Sequence, residues 1–247
     1  LSPVTRRGLG LAAVILLGWM LSLILLLPLQ PSALPPPVLV AAVLARTVLH
    51  TGLFILAHDA MHGLLLPGSP AANRRLGQAA LLLYACLPYA TCRRNHALHH
   101  SHPGTDLDPD HHGAGGPSPL AWYRRFMVGY LSWRQMGALV TAWTVLALAL
   151  LPINPAAAGS VLLFCTLPVL LSSLQLFVVG TYLPHRNGTI SLDLPHWLSL
   201  LSCYHFGYHH EHHAFPWLAW HELPAARCHG RSDSADAGSI ALRGWAR

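Results

Sequence analysis

The stretch Val38–His62, VLVAAVLARTVLHTGLFILAHDAMH, decides the fold. Its first part, Val38 to Ala57, is almost wholly apolar. At about 1.5 Å per residue it extends roughly 30 Å as a helix, the thickness of a bilayer core. It ends on His58 and His62, which at i and i+4 share one helix face. A membrane span that delivers two imidazoles to the membrane edge is the signature of a metal site built on a helical bundle. Arg46 and His50 fall inside the span, where ionisable groups face protein or a cavity.

Upstream, Leu9 to Leu27 is apolar and follows Arg6 and Arg7. Its run exceeds the roughly 7–15 residues of a signal-peptide core, so a retained helix is expected. Pro28 to Pro37 is proline-rich and uncharged, as suits a short outer turn. Downstream, Arg74-Arg75 and Arg93-Arg94 bracket Leu76 to Cys92, which contains Pro88. With both arginine pairs on one side, that stretch is re-entrant or interfacial. Trp122 to Arg134 is aromatic and basic, the composition of a membrane-surface segment. Gln135 to Leu151 and Ser160 to Leu183 are two further spans around an outer turn at Pro152 to Gly159.

The expected fold is therefore an all-α integral membrane protein. It has about four transmembrane helices in two hairpins, a re-entrant or interfacial segment, and a histidine-rich cap on the cytoplasmic side with both termini. Residues 1–224 form this unit, and residues 225–247 lack apolar periodicity and read as a flexible tail.

Composition agrees. Of 247 residues, 53% are hydrophobic and only 10% charged, against about 25% charged in soluble domains. The +6 formal charge comes entirely from arginine. Those arginines flank apolar segments and show no aromatic-interleaved stripe, which argues against a nucleic-acid partner. The five cysteines, Cys86, Cys92, Cys165, Cys203 and Cys228, form no C-x-x-C pair and read as small buried residues.

Two further histidine clusters follow the first: His96, His99 and His100 in H-A-L-H-H, and His209, His212 and His213 in H-H-E-H-H. The i, i+3 and i+4 spacings are expected to point three rings from one face of each helix. Eight neutral imidazoles without thiolates point to iron, copper or zinc, with positions left open for oxygen. Hydrolytic zinc usually takes three protein ligands, which favours iron here, and no H-E-x-x-H box is present. Asp59, Asp106, Asp108 and Glu211 are candidates to accept hydrogen bonds from ligand rings and so fix their tautomers. His205, one turn before His209, is a candidate ligand or support. A membrane metal carrier is the rival outside enzymology. A carrier places its polar ligands near the midplane, whereas these clusters sit at one edge.

The words H-D-A-M-H-G at His58 to Gly63, N-H-A-L-H-H-S-H-P-G-T-D at Asn95 to Asp106, T-Y-L-P-H-R at Thr181 to Arg186, and H-F-G-Y-H-H-E-H-H at His205 to His213 resemble the bacterial β-carotene ketolases. These belong to the membrane fatty acid desaturase and hydroxylase superfamily. The resemblance runs from about Arg46 to Pro224; the segment after His213 and the tail depart from the usual pattern. It implies a non-haem di-iron oxygenase of a bacterial inner membrane, with His185 as a ninth ligand beside His58, His62, His96, His99, His100, His209, His212 and His213. The implied cofactors are two iron ions, with O2 as co-substrate. The implied partners are a carotenoid within the bilayer and an electron donor such as ferredoxin with its reductase. The implied reaction turns the C4 methylene of a β-ionone ring into a ketone. A carotenoid hydroxylase, a fatty acid desaturase and an alkane hydroxylase share these boxes and are the near alternatives.

Overall fold

The computed structural model describes residues 1–113, 116, 118–186 and 189–228. Among them the chain is all-α. The long helices are α1 (Pro3–Leu26), α2 (Pro36–Met61), α3 (Pro70–Ala85), α4 (Tyr89–Ser101), α5 (Pro119–Tyr130), α6 (Trp133–Leu150) and α7 (Ala157–His185). Two short helices, α8 (His196–Cys203) and α9 (His209–Ala214), carry the last histidines.

Proline stands in the first turn of α1, α2, α3 and α5, where its missing N–H costs nothing and its φ is already helical. The Ser2 hydroxyl accepts the Thr5 N–H at 3.1 Å and caps α1. Ser132 and Gln135 form a reciprocal cap on α6.

Among the described residues, three helices are long and apolar enough to cross a membrane: α1, α2 and α7. Four were expected, and α6 falls short of that measure. Its 18 residues begin Trp133-Arg134-Gln135, and that polar first turn shortens the apolar run. Val14, Leu17, Leu21 and Ile24 of α1 are exposed large apolar side chains, a face that suits lipid rather than water.

Polar groups tie the bundle together inside its apolar layer. Arg46, 1% exposed, donates from Nε to the Phe164 carbonyl at 3.0 Å and from its guanidinium to the Trp19 carbonyl at 2.9 Å. Phe164 lies in Leu162–Thr166, a wide π-helical stretch of α7, and such stretches free carbonyls from the ordinary ladder. A second wide stretch covers Leu176–Tyr182. Thr51 donates to Gln175 Oε1 at 2.6 Å, joining α2 to α7. At the far end, Asn154 Nδ2 donates to the carbonyls of Leu27 and Leu29 at 2.9 and 3.0 Å, joining the two outer turns.

α3 runs back along α2. Asn73 Nδ2 donates to the Ala60 carbonyl at 2.8 Å near one end, and the Tyr84 carbonyl meets His50 Nε2 at 2.7 Å near the other. Gly77 allows the approach: a Cβ there would stand 2.4 Å from the Tyr89 ring and 2.7 Å from Ala60 Cβ. The chain reverses at Cys86, whose φ of 53° ends α3, and α4 returns to bring His96, His99 and His100 beside the end of α2. α5 opens the stretch expected at a membrane surface, and it docks on α7. Trp122 is 1% exposed and packs on Phe177 and Tyr182.

Residues 225–228 are helical rather than loose, and the rest of the expected tail, 229–247, lies outside the described residues. The five cysteines are free.

Candidate metal centre

Four elements converge at one end of the bundle: the last turn of α2, the second half of α4, the end of α7, and α9. Tyr204 and His205, with φ of 49° and 64°, turn the chain from α8 so that α9 points its rings inward. Helix geometry then divides the histidines into two groups. His58, His62, His96, His100 and His212 offer ring nitrogens within 4.8 Å of one another, and so do His99, His185, His209 and His213. All nine expected ligands are gathered.

The division corrects the expectation that the three rings of each later box leave one helix face together. Each i, i+4 pair serves one group, and the residue between them turns to the other. His96 and His100 join the first group while His99 joins the second. His209 and His213 join the second while His212 crosses to the first.

Within the groups, nitrogen meets nitrogen. His62 Nε2 and His96 Nε2 are 2.7 Å apart, and His100 Nε2 and His212 Nε2 are 2.9 Å apart. In the second group, His213 Nε2 lies 3.0 Å from the Nε2 of both His99 and His209. His99 Nδ1 donates to Asp108 Oδ1 at 2.9 Å, so its Nε2 presents a lone pair to the group. His185 Nδ1 donates to the Thr181 carbonyl at 2.6 Å, which leaves its Nε2 buried with no hydrogen-bond partner among the described residues. Both nitrogens of His58 and Nδ1 of His209 are likewise buried without partners.

Electrostatics keep most rings neutral. Burial pushes the His62 imidazole down to about 4. Burial, then the facing rings, pushes His100 down to about 3 and His213 to about 2. Burial also lowers His96, His209 and His212 well below the ordinary histidine value. His99 differs. Burial opposes its charged form, but Asp108 and Asp110 outweigh burial and raise it.

Converging lone pairs of neutral, buried imidazoles are poorly satisfied by each other and well satisfied by a cation. The donor set, all nitrogen and no thiolate, fits a first-row transition metal in each group. Five rings in one group exceed the four ligands of a structural zinc site.

The fatty acid desaturase family model matches residues 33–137 and 124–238. The chain belongs to the fatty acid desaturase family. Among the relatives of this desaturase-family protein, the β-carotene ketolase of Paracoccus sp. strain PC1 is 42% identical over 233 residues, 90% of this chain and 93% of that one. The β-carotene ketolase of Paracoccus sp. strain N81106 is 40% identical over 239 residues, 93% of this chain and 96% of that one. The zeaxanthin 4-ketolase of Chlamydomonas reinhardtii is 38% identical over 191 residues, 72% of this chain and 42% of that one. No solved structure matches the chain.

Of the expected supporting residues of this desaturase-family chain, Asp108 bonds a ligand ring. Asp59 Oδ1 is 3.7 Å from His58 Nδ1, beyond a hydrogen bond, and Asp59 Oδ2 accepts the Trp220 N–H at 3.4 Å. Asp106 is exposed. Glu211 is bonded by Ser191 and, at 3.0 Å, by Arg227, so it anchors α9 rather than a ring. His205 sits in neither group; its Nδ1 meets Ser199 Oγ at 3.0 Å.

Sequence reasoning missed the cavity. An inner chamber touches His58, His96, His99 and His209, and an outer, mainly apolar one is lined by residues including Leu131, Leu139 and Val169. Phe54, Phe126, Tyr130 and Leu176 line both, so the two chambers adjoin. The aromatic periodicity of α5 was the available signal, since Phe126 and Tyr130 at i and i+4 share the inner face.

Proposed function

We propose that this chain is a di-iron carotenoid 4-ketolase. It oxidises the C4 methylene of a β-ionone ring with O2, taking β-carotene through echinenone to canthaxanthin. The observation that carries the reading is the chamber that touches both histidine groups, with an apolar chamber adjoining it. The β-carotene ketolases among its relatives add the substrate class.

In this reading His58, His62, His96, His100 and His212 hold one iron, and His99, His185, His209 and His213 the other. A pair of irons bound there supplies the activation of O2 that C–H oxidation needs. The chain's own contribution is positional. Neutral rings are kept ready as ligands by burial. Asp108 and the Thr181 carbonyl fix the orientation of His99 and His185. The apolar chamber excludes water and aligns a hydrocarbon ring. C4 carries a weak allylic C–H bond and C3 does not, so placement of the ring selects the carbon. Two hydroxylations at C4 give a geminal diol, and loss of water leaves the ketone.

Several finer features belong to the same proposal. α6 is the fourth crossing and pairs with α7 as the second hairpin, which the Asn154 tie between outer turns supports. The histidine end and both termini face the cytoplasm of a bacterial inner membrane, in keeping with Arg6, Arg7, Arg74, Arg75, Arg93 and Arg94 near that end. Electrons come from a soluble donor of the ferredoxin type with its reductase. Residues 1–224 form the membrane unit and 225–247 an extension.

The test is expression in a bacterium that accumulates β-carotene, with pigments resolved by chromatography and mass spectrometry. Echinenone and canthaxanthin are expected. Zeaxanthin alone would assign a carotenoid hydroxylase. Unchanged carotenoids with newly oxidised acyl chains would remove the carotenoid from the reading.

A further inference from the structure

The inner chamber is apolar on most sides, yet one wall carries a carboxylate that its neighbours only half satisfy. Asp110 Oδ1 accepts the Tyr130 hydroxyl at 2.7 Å. Asp110 Oδ2 lies 3.9 Å from His99 Nδ1, too far for a hydrogen bond. Asp108, not Asp110, already takes the His99 proton. Oδ2 therefore makes no hydrogen bond among the described residues, while both Asp110 and Tyr130 line the chamber with four of the ligand histidines.

The carboxylate is held rigidly in that place. Its own N–H donates to Asp108 Oδ1 at 2.8 Å, and its carbonyl accepts the Trp122 indole N–H at 2.6 Å. Tyr130 fixes the side chain. An unpartnered oxygen on a carboxylate only 12% exposed is costly, and a rigid one cannot turn elsewhere to find a partner. It is a standing acceptor for a hydroxyl that enters the chamber or is formed there.

We infer that Asp110, held by Tyr130, binds the C4 hydroxyl of the half-oxidised ring and keeps it in place for the second oxidation. The inference rests on the ketolase reading above. The first oxidation inserts one oxygen atom of O2 into a C4–H bond, using two electrons from the donor and two protons, and releases one water. The product is a C4 alcohol. The starting ring has no hydroxyl and gains nothing from Asp110, whereas the alcohol gains a bond to a charged acceptor. The second oxidation, with the same balance, replaces the remaining C4–H bond with C–OH. The diol then breaks one C–O bond, loses water and forms the C=O bond. A protein without this acceptor releases more of the alcohol to the bilayer and so behaves as a 4-hydroxylase.

The experiment compares wild type with Tyr130→Phe and Asp110→Asn in cells making β-carotene, and in membranes given 4-hydroxy-β-carotene directly. The readout is the ratio of 4-hydroxy to 4-keto rings, with iron content measured in parallel. Tyr130→Phe keeps the shape of the wall and removes only the hydroxyl, so it stands in if Asp110→Asn fails to fold. The expected result is a rise of about tenfold in the alcohol-to-ketone ratio in both variants, the size of one lost hydrogen bond to a charged group, with iron retained. Added 4-hydroxy-β-carotene should show a raised KM. A wild-type ratio in iron-loaded Tyr130→Phe overturns the inference. Equal loss of alcohol and ketone with iron retained also overturns it, because the pair would then serve the first oxidation. Absence of ketone from the wild type refutes the ketolase reading itself, which keeps the two failures distinct.

Discussion

Asp108 Oδ1 accepts the Nδ1 proton of His99 at 2.9 Å, and both side chains are buried. The same carboxylate accepts the backbone N–H groups of Gly104 and Asp110. One residue therefore sets the tautomer of a central ring and closes the loop that follows α4. Asp108→Asn keeps the size but can present its amide N–H where an acceptor is needed. Metal affinity is expected to fall by about 10–100-fold, read as iron per chain after dialysis against a chelator. Iron content equal to wild type would show that His99 is oriented by other contacts.

The histidine groups make the metal-free protein acid-sensitive. His62, His100 and His213 titrate in the folded chain at about 4, 3 and 2, and in the unfolded chain near 6.5. Between these values the unfolded state binds more protons, so folding is favoured above about pH 6.5 and weakens as pH falls below it. His99, whose value is raised by its aspartates, opposes this trend only in part. Thermal unfolding of metal-stripped protein in detergent should show a midpoint that drops steadily from pH 7 to pH 4. A midpoint that is flat across this range would contradict buried neutral rings.

Leu139 lies in the outer chamber and not in the inner one. Leu139→Trp should fill the passage and cut turnover at least about tenfold without touching a ligand. Iron content should stay at the wild-type level. Undiminished turnover would mean that substrate reaches the inner chamber by another way.

Gly77 is where α3 meets α2 most closely, with no room for a methyl group. Gly77→Ala forces the Tyr89 ring and Ala60 apart. Overpacking of this kind typically costs about 1–3 kcal/mol. Because α4 follows directly, the change should also lower iron content. An unfolding midpoint within error of wild type would refute the close approach.

Much of this architecture was legible in residue spacing. The apolar runs located α1, α2 and α7, the three boxes named eight members of the two histidine groups, and the family resemblance added His185. Their partition was not legible. Spacing puts His96, His99 and His100 near one face, but only the approach of α9 decides that His99 turns away from its neighbours. The same holds for carboxylates. Asp106 and Asp108 are equivalent in sequence, yet one is exposed and the other 1% exposed against His99. The fourth span is less legible than the other three, because the polar first turn of α6 shortens its apolar run. The docking of α5 on α7 was not legible, because its aromatics suit either a membrane surface or a helix-packed wall.

The wide stretch Leu176–Tyr182 has a consequence for register. An ordinary α-helix advances about 100° per residue, so each residue accommodated by a widened turn rotates everything beyond it by about that angle. His185 lies three residues past the stretch, with its ring 4.5 Å from that of His209. Deleting one residue there would give a more regular helix and swing His185 out of its group, leaving His99, His209 and His213. The irregular backbone acts as a phase shift between the part of α7 that anchors the bundle and the single turn that serves the metal.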